Sequence, residues 1–448
     1  MQQSAAIAGA GGGESILNRP LALSARSQAV PILQLFAVAA LVIPSNSVFR
    51  PIGAQGYPAA LIGMFTFGAL VAAIVLGLHD PLRNRHPVRA ALCVLWISVL
   101  ASYVLMDRAG RSVDEVQAAD RLIMQLAVVT GIALLAAECL RSLHDVKRVL
   151  RALVWAGAFV GVVASLQFWM ALDITPYLDH LPGFTVNSDN PTIVLRSALH
   201  RSAGTALTPI ELGVVAGMLL PLAIYLGIYD RERPNWARWA PVVLIGLAIP
   251  VSVSRSGIIS VTLAAAVFVA LMPTRQRLMA LCLTPFAICA VFMTAPGVIG
   301  TLTRFFQAGS NDASVQARLF DYPEVARLVN QAPWFGHGGW TYLPENTIYI
   351  LDNQWLKTAI ELGGVGVIAL AVFFLIPFGS ALVARAHSED PDLRLLCAAL
   401  AGVVLAAIAC SATFDSLSYP MFTNVYAVAI GLIGACWRLV AADRTGGM

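Results

Sequence analysis

The chain has 448 residues, 58% of them hydrophobic and only 12% charged, with a formal net charge of +4. Soluble domains carry about 25% charged residues, so a soluble globular fold is excluded and a polytopic membrane protein remains. The small net charge makes no case for a nucleic-acid partner.

The first 20 residues, MQQSAAIAGAGGGESILNRP, are rich in Gly, Ala and Ser and lack an apolar core. They read as part of a disordered cytoplasmic tail over 1–27, with no cleavable signal peptide. From residue 28 to 448 the chain reads as a single transmembrane domain. Apolar runs lie near 29–47, 57–78, 90–106, 121–140, 150–172, 211–229, 239–253, 256–272, 278–299, 358–384, 393–413 and 422–440. Each is near the ~20 residues that a bilayer requires. The expected fold class is therefore an all-α polytopic membrane protein with about twelve transmembrane helices. The seventh and eighth runs also read as one hairpin pinched at VSVSRSG, Val251 to Gly257.

With the N-terminus inside, 18 of the 29 basic residues fall in short inner loops or tails, among them Arg85, Arg89, Lys147, Arg151, Arg231, Arg233 and Arg238. That satisfies the positive-inside rule and puts both termini in the cytoplasm. Only Lys147 and Lys357 are lysines. A GC-rich genome explains the arginine bias more simply than a preference for bidentate phosphate contacts. The seven cysteines lie in or at the ends of apolar runs without a CxxC pair, and they read as small buried hydrophobes.

Two outer loops are long, 173–210 and 300–357, and loops of that length are usually functional or disordered. The first contains NSDNPT. The second contains Ser314 to Pro333, where Val315, Leu319, Tyr322, Val325, Ala326 and Val329 fall at helical spacing. This predicts an amphipathic helix on the outer membrane surface. WFGHGGW follows, Trp334 to Trp340. No strand precedes it, so it is a weak nucleotide loop, and interface tryptophans need no ligand.

A transporter places ionisable groups near the midplane. Here Glu138, Glu211, Arg255 and Glu361 all sit near the ends of apolar runs, the last three at the outer ends. Gln34, Gln125 and Gln167 are the deeper polar residues. Three segments converge on the outer interface: Arg196 to Gly213, including His200 and Arg201; Ser254-Arg255-Ser256-Gly257; and Ile350 to Gly366. Asp352 reads equally as a helix N-cap. Either arginine reads equally as the partner of Glu211 or Glu361 in a structural ion pair. Guanidinium groups grip phosphate bidentately, and a nearby carboxylate suits a general base for a sugar hydroxyl. The combination fits glycan transfer from a lipid diphosphate, with arginines stabilising the leaving group. No HExxH helix occurs, and metal-free chemistry without a cofactor is the simpler reading.

These residues resemble the O-antigen ligase and polymerase family of bacterial envelope glycosyltransferases. Its R-x-x-G-T-x-x-x-P-x-x-x-G element is met by Arg201, Gly204, Thr205, Pro209 and Gly213, and its S-R-S/G turn by Ser254 to Gly257. An amphipathic helix followed by P-x-x-G-x-G is met from Arg318 to Pro333, Gly336 and Gly338. The next helix entry and E-x-G-x-x-G are met by Asp352-Asn353-Gln354-Trp355-Leu356 and by Glu361, Gly363 and Gly366. The resemblance covers about 190–380. It departs at Asp352, where ligases carry a histidine, and at Thr208, where relatives accept one. Both departures resemble a polymerase-like branch.

The resemblance implies an inverting, metal-independent transfer from a polyprenyl-diphosphate-linked saccharide at the outer face of the bacterial cytoplasmic membrane. Arg201 and Arg255 would hold the diphosphate, and Asp352 would be the base, oriented by Asn353. Arg196, His200, Glu211, Arg318 and Glu361 would be binding residues. Partners implied are a glycan acceptor, membrane lipid, a flippase and a chain-length regulator. Polymerisation is the favoured outcome. Ligation to a lipid or protein acceptor, an exporter and a non-catalytic scaffold are the alternatives.

Overall fold

The computed structural model describes residues 18–80, 85–106, 110–178, 182–187, 193–196, 199–294, 313–344 and 350–446. Side chains of 18–28, 193–196, 199–200, 287, 290–294, 313–321 and 445–446 lie outside that description. Every one of the twelve expected runs contains a helix. They are α1 (Asn18–Val42), α2 (Pro58–Val75), α3 (Pro87–Leu105), α4 (Val113–Cys139) and α5 (Leu143–Met170). After the one-turn α6 (Thr175–Leu178) come α7 (Pro209–Tyr229), α8 (Asn235–Val251), α9 (Arg255–Leu271) and α10 (Thr274–Thr294). The last four are α11 (Ala313–Gln331), α12 (Gln354–His387), α13 (Pro391–Cys410) and α14 (Pro420–Gly446). Eight of these are long and apolar enough to cross a membrane, and stretches of α1, α8 and α9 are shorter apolar helices. The chain is an all-α multi-pass membrane protein.

Local signals set the helix starts. Proline, whose missing N–H costs nothing in the first turn, opens α2, α3, α7 and α13. Ser112 and Glu115 form a capping box at α4. The core is built around α14, where Met421, Phe422, Val425, Tyr426, Ile430 and Ile433 are all fully buried. Tyr426 packs its ring against Phe373 and Phe374 of α12, with centroids 5.3 and 5.2 Å away. In a bilayer, helices associate by close packing of small residues. Gly213 and Gly217 of α7 meet Ser252, Gly257 and Ser260 in this way, and a Cβ on Gly213 would lie 2.6 Å from Ser252 Oγ.

Two expectations are revised, and the seventh and eighth runs stay separate as expected. The last ten residues of the expected tail, 18–27, belong to α1. The seventh and eighth runs are two helices, parted at Ser252–Ser254 with Val253 at φ 45°. The expected loop helix exists as α11, but Ala326 and Tyr322 are exposed and its contact face is Val325, Leu328 and Val329. That face packs on Leu351, Leu356 and Ile360 of the chain itself. Two short antiparallel pairs also occur, β1 (Ser47–Phe49) with β2 (Phe184–Val186) and β3 (Ile193–Arg196) with β4 (Leu199–Ser202).

Contacts between helix termini define two ends. One end gathers the starts of α7, α9, α12 and α14. The other gathers basic side chains tied to acidic ones, including Arg151 with Asp230, Lys147 with Asp392, and Arg89, His79 and His86 with Glu138.

Candidate functional site

The Arg201–Gly213 element folds as a brace with one outward arm. Gly204 N donates to Gln167 Oε1 at 2.8 Å, and Thr205 Oγ1 donates to Leu41 O at 2.5 Å. Thr208 caps α7 by accepting Glu211 N at 3.3 Å. Glu211 is wholly buried. Its Oε2 accepts Leu207 N at 2.8 Å, and its Oε1 accepts Met421 N at 2.7 Å and Phe422 N at 3.1 Å. The carboxylate thus closes the α7 start and holds the start of α14 through backbone amides. It offers no surface to a substrate, which corrects the expectation that it binds one. Arg201 is half-buried, and its Nε donates to Ser252 O at 3.3 Å, in the turn between α8 and α9.

That turn is the second motif. Ser254 caps α9 by accepting Gly257 N at 3.3 Å. Gly257 allows α9 to touch Gly213, and Ser260 Oγ donates to Val214 O at 2.8 Å. Arg255, half-buried, is the first residue of α9. The contact between Arg201 and Ser252 brings the first two motifs together.

The third and fourth motifs are two halves of one interlock. α12 breaks at Gly363, with φ 68° and ψ −165°, a backbone region open almost only to glycine. The break frees backbone groups that must find partners. Gly364 N donates to Pro333 O at 2.8 Å and Val365 N to Trp334 O at 3.1 Å. In return His337 N donates to Ile360 O at 3.0 Å and Gly338 N to Glu361 O at 2.9 Å. Gly336 lies so close that a Cβ there would sit 2.3 Å from Glu361 C. WFGHGGW is therefore the plug of a broken helix.

Glu361 stands at that break, only 2% exposed. Its carboxylate faces the backbone amides of Trp340 and Tyr342 with Lys357 nearby. Its Oε1 has no hydrogen-bond partner among the described residues, nor has Nε2 of Gln125, whose Oε1 accepts Tyr57 Oη at 2.7 Å. Both side chains line one cavity of about 50 Å³. Glu361 is thus an interior residue, which corrects the expectation of a direct substrate contact.

At the start of α12 the cap is Asn353, not Asp352. Asn353 Oδ1 accepts Trp355 N at 2.9 Å and Leu356 N at 3.2 Å. Gln354 N donates to Ser411 O at 2.8 Å, and Gln354 Oε1 accepts Leu417 N at 2.9 Å. Lys357 Nζ binds Asp415 at 3.2 Å and Ser418 Oγ at 2.9 Å. The whole entry is anchored to the linker between α13 and α14, and Asp352 is its exposed residue.

Sequence reasoning missed Tyr419, the last residue of that linker. Burial pushes its phenol up, helped by the negative charges of Asp415, Glu211 and Asp352, and it hydrogen-bonds the Thr208 side chain. It thus stays a neutral hydroxyl between the first motif and the third. A tyrosine immediately before Pro420, the opening residue of α14, was the available signal. The Asp390-Pro391-Asp392 pair also escaped notice. It lies at the opposite end, where Asp390 caps α13 and Asp392 takes Lys147 and Tyr225 Oη. The side chains of Arg196, His200 and Arg318 lie outside the described residues. By backbone, Arg196 and His200 sit on the β3–β4 pair beside Arg201, and Arg318 sits on α11.

No curated protein matches the chain. Residues 240–371 match the family model described as O-antigen ligase. The match runs from α8 into α12, and it includes the Arg255 turn, α11, the plug, Asp352 and the break at Gly363. The Arg201 element lies before it. This part of the chain, from α8 into α12, is similar to the O-antigen ligase family.

Proposed function

We propose that the protein is a membrane glycosyltransferase. It transfers saccharide units from a polyprenyl-diphosphate donor at the outer face of the bacterial cytoplasmic membrane, with polymerisation favoured over ligation. One observation carries this reading: the folded motifs hold the half-buried Arg201 and Arg255 and the exposed Asp352 at one end of the bundle. A positive pair and a carboxylate at a membrane interface suit a lipid-borne anion and a sugar hydroxyl. The internal cavity of about 50 Å³ is far below the roughly 300–1,000 Å³ of ligand sites, which argues against a sugar passing through it.

In this reading Arg201 and Arg255 grip the diphosphate. Asp352 takes the proton of the acceptor hydroxyl as that oxygen attacks the anomeric carbon. The bond from that carbon to the diphosphate oxygen breaks, and the anomeric configuration inverts. The two guanidinium groups stabilise the charge developing on the departing diphosphate. Asn353 contributes by position, fixing where α12 begins. Arg196, His200 and Arg318 extend the anion site. A flippase would supply the donor and a chain-length regulator would act on the product. The basic end of the bundle faces the cytoplasm, with both termini.

Purified protein is given a lipid-diphosphate oligosaccharide, and wild type, Arg201→Ala and Asp352→Asn are compared by gel. A ladder from wild type, lost in both variants that melt like wild type, is the expected result. A single transferred product replaces polymerisation by ligation. Absence of product, with lipid-linked sugar crossing liposomes, overturns the enzyme in favour of an exporter.

A further inference from the structure

At the end opposite the candidate site, α5, the end of α7 and the start of α8 enclose a cavity of about 360 Å³. That is within the range of small-molecule sites, roughly 300–1,000 Å³. Three arginines line it, Arg151, Arg233 and Arg238, against a single carboxylate, Asp230. Arg151 is spent on carboxylates: its Nε and Nη2 donate to Asp230 at 2.7 and 2.6 Å, and Nη2 also donates to Glu232, outside the lining, at 2.5 Å. Arg238 is pinned by the last carbonyls of α7, donating from Nε to Gly227 O at 2.9 Å and from Nη2 to Ile228 O at 3.1 Å. Its charge remains in the cavity wall. Arg233 is exposed at the mouth. The lining therefore carries more positive than negative charge, held by a rigid helix joint.

The rim is aromatic. Trp155 and Trp236 are 40% and 69% exposed and meet edge to face, with centroids 6.3 Å apart. Exposed tryptophans of this kind mark the depth of lipid headgroups, and basic pockets between helices at that depth suit anionic headgroups. A soluble anion would need the arginines alone. The apolar wall of Val154, Leu226 and Pro241 suits a ligand with acyl chains.

We propose that this cavity binds the phosphate headgroup of an anionic phospholipid from the leaflet that this end meets. Arg233 and Arg238 supply the charge, and the tryptophan pair packs the glycerol backbone.

The test uses the full chain, delipidated in detergent, titrated with phosphatidylglycerol, phosphatidylcholine or inorganic phosphate and read by native mass spectrometry and by thermal shift. Arg233→Gln and Trp236→Ala are the variants, since both side chains are exposed and neither belongs to the catalytic machinery. Wild type should retain one phosphatidylglycerol more than either variant. Each variant's affinity should fall about tenfold, which corresponds to about 1.4 kcal/mol, while both melt like wild type in phosphatidylcholine. Equal retention by wild type and variants overturns the proposal. So does equal binding of phosphatidylcholine, which would mean no headgroup selection. Competition by millimolar inorganic phosphate as strong as that by the lipid overturns the lipid as ligand.

Discussion

Gly363→Ala tests the interlock between α12 and its glycine-rich plug. The native φ and ψ there are 68° and −165°, a conformation that costs a side-chain-bearing residue about 1–3 kcal/mol. The added Cβ would also stand 2.4 Å from Trp334 C and 2.5 Å from Trp334 O. Both are backbone atoms, so no rotamer change relieves the clash. Relief requires the plug to withdraw, which breaks the bonds from Gly364 N to Pro333 O and from Val365 N to Trp334 O. At about 1 kcal/mol for each, the total loss is about 3–5 kcal/mol. Gly379→Ala is the control. It lies in the same helix with nothing within 4 Å of the added Cβ, and alanine is favoured there by roughly 0.5–1 kcal/mol. Melting of the purified proteins in one detergent, followed by loss of the monodisperse peak after heating, separates the two. Gly363→Ala should melt well below wild type and Gly379→Ala at or above it. Equal melting of the two variants would refute the interlock as a source of stability.

Glu211→Gln replaces an acceptor of three backbone amides with a side chain that also donates. With hydrogen bonds to a charged group contributing about 1.5–3 kcal/mol each, a loss of roughly 2–4 kcal/mol is expected in denaturant or thermal unfolding. Asn353→Ala removes the α12 cap and should cost about 1 kcal/mol, more than Asp352→Ala costs; the reverse order would return the cap to Asp352. Glu138→Gln, at the opposite end, strips the counter-charge from Arg89 and alters the hydrogen-bond partner of His79 and His86. That should destabilise by about 3–5 kcal/mol, with product length unaltered in protein that still folds.

The helices were readable because a bilayer demands long apolar runs, and each run names its own element. The break in α12 was not. Glu361-Leu362-Gly363-Gly364 reads as an ordinary apolar helix that tolerates glycine, and only the plug, 25 to 30 residues earlier in the chain, shows why glycine is required. Glu211 was readable as a buried-end carboxylate but not as a brace. Its partners Met421 and Phe422 lie 210 and 211 residues away, and backbone amides carry no sequence signature. Asp352 and Asn353 are both good caps by type. Which one caps depends on where the linker after α13 fixes Gln354, a contact between distant segments. The arginines were found because a charge at the end of an apolar run is conspicuous.

The scaffold also fixes the shape of the candidate site. Arg201 and Arg255 are held as a unit by the close contact of α7 with the α8–α9 turn. Asp352 is held by a second unit, the α12 entry and the linker after α13. Two of the direct joints between the units are the Glu211 carboxylate on the start of α14 and the Tyr419 contact with Thr208. In the proposed reaction the distance from base to anion grip is therefore set through residues that touch no substrate. Small misplacements of reacting groups cost large factors in rate. Weakening the joint should thus lower transfer in protein that remains folded, without changing any of the three surface side chains. In that proposed reaction Glu211 is a positioning residue. Its signature is a fall in turnover at unchanged donor binding, where Arg201→Ala would weaken donor binding itself.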